Sequence, residues 1–418
     1  MRPGGPNEAD DLPPGYELVR FDSFASVALP SESARASRKE LTRREAAKDA
    51  ARREELEQRQ QVAKGETLAQ VREREANARA ELDARREAFA GEPAPGHYRV
   101  IRKWAELLHA TADSAAGLRS ADKDVNERVA KLRERLIHKG PDRRIAKPEG
   151  WRGAVDRLET ALPHFREPIR LLRNSLGLAD ATQRPVRVPP MLLLGPPGVG
   201  KTHFTHRVAE LLGAPHASVA FDQPTAGSTL RGSDAYWANS STGLLFNLIC
   251  MGDCANPVVL LDELDKSFSA GSKNEIDPLA QLHSALEPET SQATVDISVD
   301  IEFDASQVTY IATANSLRGV SMAILSRVEV FQIEPPDVSE SVEIARAIVT
   351  KVLTRMNLQD TLGFDHKGLY VLAHLSPRLM LRTTEKAVAA AVAAGQGQVR
   401  ESDLWAELGP DADGPRPH

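Results

Sequence analysis

The run Gly195-Pro196-Pro197-Gly198-Val199-Gly200-Lys201-Thr202 carries the clearest chemistry in the chain. Its glycines let backbone N–H groups curl around an anion, and a helix N-terminus behind them adds partial positive charge. Lys201 is placed to reach the β- and γ-phosphates of a nucleotide, and the Thr202 hydroxyl to ligate Mg2+. A Gly-rich surface turn is the plainer reading, but the flanks argue against it. Met191-Leu192-Leu193-Leu194 precedes the run and a helical stretch, Phe204 to Leu212, follows it. That is the strand–loop–helix setting a phosphate-binding loop requires.

A second signal lies about sixty residues on, where Val258-Val259-Leu260-Leu261 runs into Asp262-Glu263. Four apolar residues suit a buried central strand, and its C-terminal edge is where ligands bind in open α/β sheets. Asp262 is placed to hold Mg2+ through a water, and Glu263 to polarise an attacking water. Asp265 and Lys266 are either neighbour contacts or solvated. Val308 to Ala314 reads as another strand, ending at Asn315. An amide there orients the lytic water or touches the γ-phosphate, provided its strand lies between those of Gly195 and Asp262. The plainer reading is a turn-forming Asn.

Arg327 ends a short helix, Ala323 to Arg327, ahead of the strand Val328 to Gln332. It either reaches a neighbouring subunit's phosphate or is a helix-end arginine favourable to the dipole. Pro377-Arg378 opens a later helix whose first turn is placed to face the nucleotide, with Arg382 one turn on.

These sites need an α/β sheet, and the pattern from Trp151 onward supplies one. Candidate strands are Met191–Leu194, Ser218–Phe221, Val258–Leu261, Val308–Thr313 and Val328–Gln332. Their spacing leaves room for helical crossovers, so a largely parallel five-stranded sheet is expected over residues 150–335. Residues 336–408 read as helices only, a small all-α lid, followed by a tail over 409–418. Ahead of the sheet, residues 1–33 are rich in Pro, Gly and acid and are expected to form a loose or disordered arm. Residues 34–149 are expected to be charged and helical, either a long solvated helix or a weak coiled coil, broken at Pro93-Ala94-Pro95-Gly96.

Composition narrows the classes. The chain has 418 residues, with 27% charged, 5% aromatic and a net charge of −6, so nothing in its global balance favours nucleic acid. Cys250 and Cys254 sit four apart in an expected helix, poor geometry for a disulfide and too few for zinc. Both read as reduced thiols. No signal peptide and no membrane-length apolar run is evident, which points to a soluble, cytoplasmic protein.

In this order, Gly195–Thr202, Asp262-Glu263, Asn315, Arg327 and Arg378 resemble the Walker A, Walker B, sensor 1, arginine-finger and sensor 2 stations of AAA+ ATPases. The likeness is closer to the ATPase module of Lon-type proteases. Leu260 to Lys266, Asp277-Pro278, Leu286-Glu287-Pro288-Glu289 and Ile311 to Ser316 carry it, over roughly residues 150 to 408. The resemblance implies ATP and Mg2+ as cofactors, a homo-hexameric ring and a protein substrate. It also places Tyr236 and Trp237 in a pore loop that grips an extended peptide, ordinary core aromatics being the alternative. Lon's proteolytic domain follows the lid; here nothing resembling it appears, so peptidase activity is not expected, and a separate effector protein is possible. The function expected is an ATP-hydrolysing motor that remodels, unfolds or translocates a protein partner. A DNA loader or translocase and an ATP-switched scaffold are the alternatives.

Overall fold

The computed structural model describes residues 16–21, 24–30, 68–112, 123–223, 225–233, 241–266 and 278–408. The chain divides after Ala84 into two compact units. In the first, β1 (Tyr16–Phe21) pairs antiparallel with β2 (Phe24–Pro30). This corrects the expectation of a loose arm there: the short runs are rich in Val, Phe and Tyr, residues that favour paired strands. Helix α1 (Leu68–Ala88) leads out of this unit with arginines in its last turn. The stretch expected to form the rest of the long helix or coiled coil lies outside the described residues, as does the tail.

The second unit begins at Arg85 and is built on one five-stranded parallel sheet. Before it come β3 (His97–Arg99), α2 (Trp104–Ala112), α3 (Lys123–Lys139) and β4 (Asp142–Arg144). β3 and β4 pair antiparallel, so this region is not purely helical as expected. It is anchored to the sheet domain by the buried Asp304 carboxylate, which accepts from the Tyr98 hydroxyl at 2.9 Å and from Arg102. Helices α4 (Trp151–Ala161) and α5 (Arg166–Thr182) follow, tied by a 2.6 Å bond from the Trp151 indole to Asp180.

The sheet strands are β5 (Met191–Leu194), β6 (His216–Ala220), β7 (Val258–Asp262), β10 (Thr309–Ala314) and β11 (Glu329–Gln332). Across the sheet they run β11-β5-β10-β7-β6. β5 and β7 are apolar because both faces are covered, as parallel sheets demand, and β10 between them is buried throughout. β6 starts two residues earlier than expected, its ladder to β7 running from His216↔Val258 to Ala220↔Asp262. Between β5 and β6, α6 (Lys201–Leu212) starts after left-handed Gly200. It stops at Gly213, also left-handed, whose N–H caps Glu210. Helix α7 (Ala226–Arg231) follows β6. Cys250 ends up in a short π-helical turn, Asn247–Met251, while Cys254 sits in an isolated bridge to Arg144. The two thiols therefore do not share a helix as expected; both are free and buried. A short hairpin, β8 (Thr294–Asp296) with β9 (Ile301–Phe303), precedes β10 and escaped the sequence reading.

The lid holds α8 (Val338–Arg355), α9 (His366–Ala373), α10 (Pro377–Ala393) and α11 (Glu401–Leu408). Asp337 and Glu340 form a reciprocal capping box that starts α8. The lid is not all-helical as expected, since Gly363–Phe364 pairs with Gln398–Val399. It carries its own apolar core around Leu372, Met380, Val388 and Leu404.

Phe165 ties the segment before the sheet to α6. Fully buried, it stacks on Phe204 with ring centroids 4.6 Å apart and planes 5° off parallel. Truncating a buried phenylalanine costs roughly 3–5 kcal/mol. Phe165→Ala should lower the unfolding free energy by that amount in a denaturant titration. Leu178→Ala, at a side chain 65% exposed, should change it by less than about 0.5 kcal/mol.

Candidate functional site

Strand order decides what meets at the sheet's C-terminal edge. β10 lies between β5 and β7, so Asn315, just past β10, stands between the glycine loop and the Asp262-Glu263 pair. A cavity of about 640 Å3 opens there. Residues 197–203 of the loop and helix start, Asp262, Glu263, Thr313 and Asn315 form its polar wall. Its other walls are Leu162 and His164 ahead of the sheet, and Ile344, Ile348, Pro377 and Arg378 of the lid.

The loop holds its shape because three glycines do what other residues cannot. A Cβ on Gly195 would lie 2.2 Å from the Ile333 carbonyl oxygen, too close for any side chain. Gly198 and Gly200 have φ of +88° and +102°, in the region that side chains avoid. Pro196, Pro197 and Val199 stiffen the turn between them, and Val199 is itself buried.

Lys201 sits at the first position of α6 and is 8% exposed. Its ammonium donates to the carbonyls of Gly195 at 2.6 Å and Pro196 at 3.0 Å, and to Asn315 Oδ1 at 3.1 Å. All three acceptors are neutral. Burial first, and the Arg378 charge besides, pull this lysine below its usual range, partly offset by Asp262, Asp265 and Glu263. A buried cation met by neutral oxygens favours an incoming anion.

The carboxylates are held from β10. The Thr313 hydroxyl donates to Asp262 Oδ1, and the Glu263 N–H donates to Thr313 Oγ1 at 3.2 Å. Glu263 has φ of +58°, in the left-handed region that residues other than glycine seldom adopt. Its Oε2 lies 2.7 Å from Lys266 Nζ, which raises the lysine's affinity for its proton. The Asn315 N–H donates to Asp265 Oδ2 at 3.1 Å. Asp265 and Lys266, left open by the sequence, are thus neighbour contacts.

Pro197 to Thr202, Asp262, Glu263, Asn315 and Arg378 therefore gather round one cavity, with Gly195 and Pro196 behind it as carbonyl partners of Lys201. Arg327 does not. Its Nη1 donates to the Ala323 carbonyl at 2.7 Å and its Nη2 lies 3.6 Å from Glu287. Arg382 is exposed and away from the cavity lining. Tyr236 and Trp237 lie outside the described residues.

Sequence reading missed Thr313 and His164. His164 Nε2 lies 3.0 Å from the Val199 carbonyl, which only accepts, so that nitrogen carries the proton. Burial pushes this imidazole down, keeping it neutral, with the Val199 bond opposing. Only the pairing of a histidine with Phe165 hinted at it.

The donor set fits a magnesium nucleotide. A glycine cradle, a buried ammonium bonded only to neutral oxygens among the described residues, a hydroxyl at Thr202 and a carboxylate at Asp262 match phosphates and one hard cation. Leu162, Ile344 and Ile348 give an apolar flank suited to a heteroaromatic base.

Residues 191–335 match the model of the ATPase family associated with various cellular activities (AAA). Among curated relatives, the peroxisomal Lon protease homolog 2 of Eremothecium gossypii is 35% identical over 188 residues, 44% of this chain and 19% of that protein. The Mus musculus protein of the same name is 31% identical over 258 residues, 60% of this chain and 29% of that one. Lon protease of Porphyromonas gingivalis is 33% identical over 210 residues, 50% and 24% of the respective chains. The chain thus spans less than a third of the length of these relatives. A solved mutant of Thermotoga maritima RuvB aligns at a TM-score of 0.41 and 16% identity, over 58% of this chain and 69% of that one, too loosely to carry an argument. Among the described residues no helix is long and apolar enough to cross a membrane.

A charge-assisted hydrogen bond to phosphate contributes about 1.5–3 kcal/mol, or roughly 10–100-fold in affinity. Lys201→Ala should weaken ATP binding by that factor in an equilibrium titration. The nucleotide-free variant should melt no lower than wild type, because a buried cation bonded only to neutral oxygens among the described residues has been removed. Unchanged affinity would take Lys201 out of the site.

Proposed function

We propose that the chain, whose residues 191–335 are an AAA-family ATPase domain, is an ATP-hydrolysing motor that remodels, unfolds or translocates a protein partner. The observation that carries the hydrolytic part is the convergence of Lys201, Asp262, Glu263 and Asn315 on one cavity. Protein is preferred over DNA as partner because the relatives are named as proteases and the net charge of −6 disfavours a polyanion.

In this reading the base of ATP packs against Leu162, Ile344 and Ile348, and the phosphates lie in the glycine loop. Lys201 trades its carbonyl partners for phosphate oxygens. Thr202 and Asp262 would hold Mg2+, which would supply positive charge to offset the charge that develops on the phosphates. Glu263 leaves Lys266 and takes a proton from the attacking water, while Asn315 orients that water or the γ-phosphate. Arg378 meets the phosphates from the lid.

Arg327 serves the next subunit in a homo-hexameric ring, exchanging Glu287 for that subunit's γ-phosphate. Tyr236 and Trp237 face a central pore and grip the partner. No peptidase is assigned to these residues, and a separate effector protein would act on what the motor delivers. A cytoplasmic setting suits the two free thiols.

Loss of a general base costs about 10²–10⁴ in rate, so Glu263→Gln should bind ATP normally and hydrolyse it that much more slowly. Wild-type turnover in this variant would remove Glu263 from the role. Arginine fingers contribute roughly 10³–10⁵. Arg327→Ala should therefore bind ATP but lose nearly all turnover, and added Glu263→Gln subunits, whose Arg327 is intact, should partly restore it. Unfolded protein should stimulate wild-type hydrolysis, and Tyr236→Ala should abolish that stimulation. Salt-sensitive stimulation by DNA instead would favour a nucleic-acid motor.

A further inference from the structure

The two carboxylates at the end of β7 do not hold their own positions. The β7–β10 ladder pairs Leu261 with Ala312, and β7 then turns away through left-handed Glu263. At that break a side chain replaces the lost backbone partner: Thr313 Oγ1 accepts the Glu263 N–H at 3.2 Å. The same hydroxyl donates to Asp262 Oδ1. Thr313 is 2% exposed, and its two partners are half-buried at the cavity edge.

The direction of both bonds follows from elementary chemistry. A backbone N–H only donates, so the hydroxyl accepts from Glu263. A hydroxyl has one proton, and it goes to the remaining acceptor, the Asp262 carboxylate. The bond occupies Oδ1 of Asp262 and leaves Oδ2 to turn toward the cavity. It also fixes the backbone turn from which the Glu263 side chain leaves. Neither bond contributes to the sheet ladder, and an apolar Val or Ile would fill the same buried place at the end of the strand.

Resting on the ATPase reading above, we infer that Thr313 is the positioning residue for both carboxylates, setting Asp262 for the magnesium ion and Glu263 for the attacking water through one hydroxyl. It lines the same cavity, and its hydroxyl is already engaged by the two bonds. Two residues on, just past the end of the strand, Asn315 addresses Lys201. A single strand end thereby sets the metal side and the phosphate side of the cavity together.

Partners that orient metal-ligating groups typically contribute 10–100-fold to metal affinity or activity. The test measures ATP binding by equilibrium titration with Mg2+ and with EDTA, alongside steady-state hydrolysis against Mg2+ concentration. Thr313→Val should bind ATP like wild type in EDTA, lose about 10–100-fold of the Mg2+-dependent gain in affinity, and lose kcat by a similar factor. Its half-maximal Mg2+ concentration should rise in step. Thr313→Ser, which keeps the hydroxyl, should restore both to within about threefold of wild type. If the valine variant does not fold, Thr313→Ala must give the same loss. Wild-type Mg2+ dependence and turnover in a folded hydroxyl-free variant would overturn the assignment. A wild-type protein that binds Mg–ATP without hydrolysing it would sink the ATPase reading alone, because the Mg2+ dependence of binding still tests Thr313.

Discussion

Among the described residues no carboxylate bonds the buried Lys201 ammonium, and the site depends on that constraint. Lys201 is surrounded by carbonyls and an amide, and its own burial works against its charge. Such a group costs stability until an anion arrives. The glycine angles that aim backbone N–H groups at the same point, and the Arg378 charge on the lid, both favour that anion. The acidic residues stand back: Asp262, Asp265 and Glu263 stabilise the charge at a distance, but none bonds the ammonium.

The fold places these groups by topology more than by local chemistry. Putting β10 between β5 and β7 brings residues more than a hundred positions apart into hydrogen-bond distance, Lys201 with Asn315. The apolar runs of β5 and β7 and the wholly buried β10 make the order stable, since none of the three is suited to an edge. The outermost strands, β6 and β11, are the ones with exposed positions.

Much of this was legible in the sequence. The glycine loop, the Asp-Glu strand end and Asn315 each carry type and spacing that few other structures require, and the five strands appear within one or two residues of their expected places. Less legible were features made by contacts between distant segments. Nothing in Thr313 distinguishes it from any strand threonine until β7 is laid beside it. His164 gains its meaning from the Val199 carbonyl, thirty-five residues away. β3 and β4 pair across some forty residues, and β8 and β9 are only three residues each. Strands so short carry too little periodicity to stand out from loops. Cys254 was placed on a helix because spacing alone cannot see a bridge to Arg144.

Gly195 lies where its missing side chain makes room for the Ile333 carbonyl, and Ile333 in turn donates its N–H to the Leu194 carbonyl at 2.6 Å. Four residues later the chain enters the lid. The hinge on which that lid would swing is therefore riveted to the base of the phosphate loop, and its far arm returns at Ser376, 3.2 Å from where a Gly198 Cβ would lie. Loop and lid share an axle. A side chain at either glycine would therefore press on the connection to the lid or on the turn that opens α10, not on the loop alone.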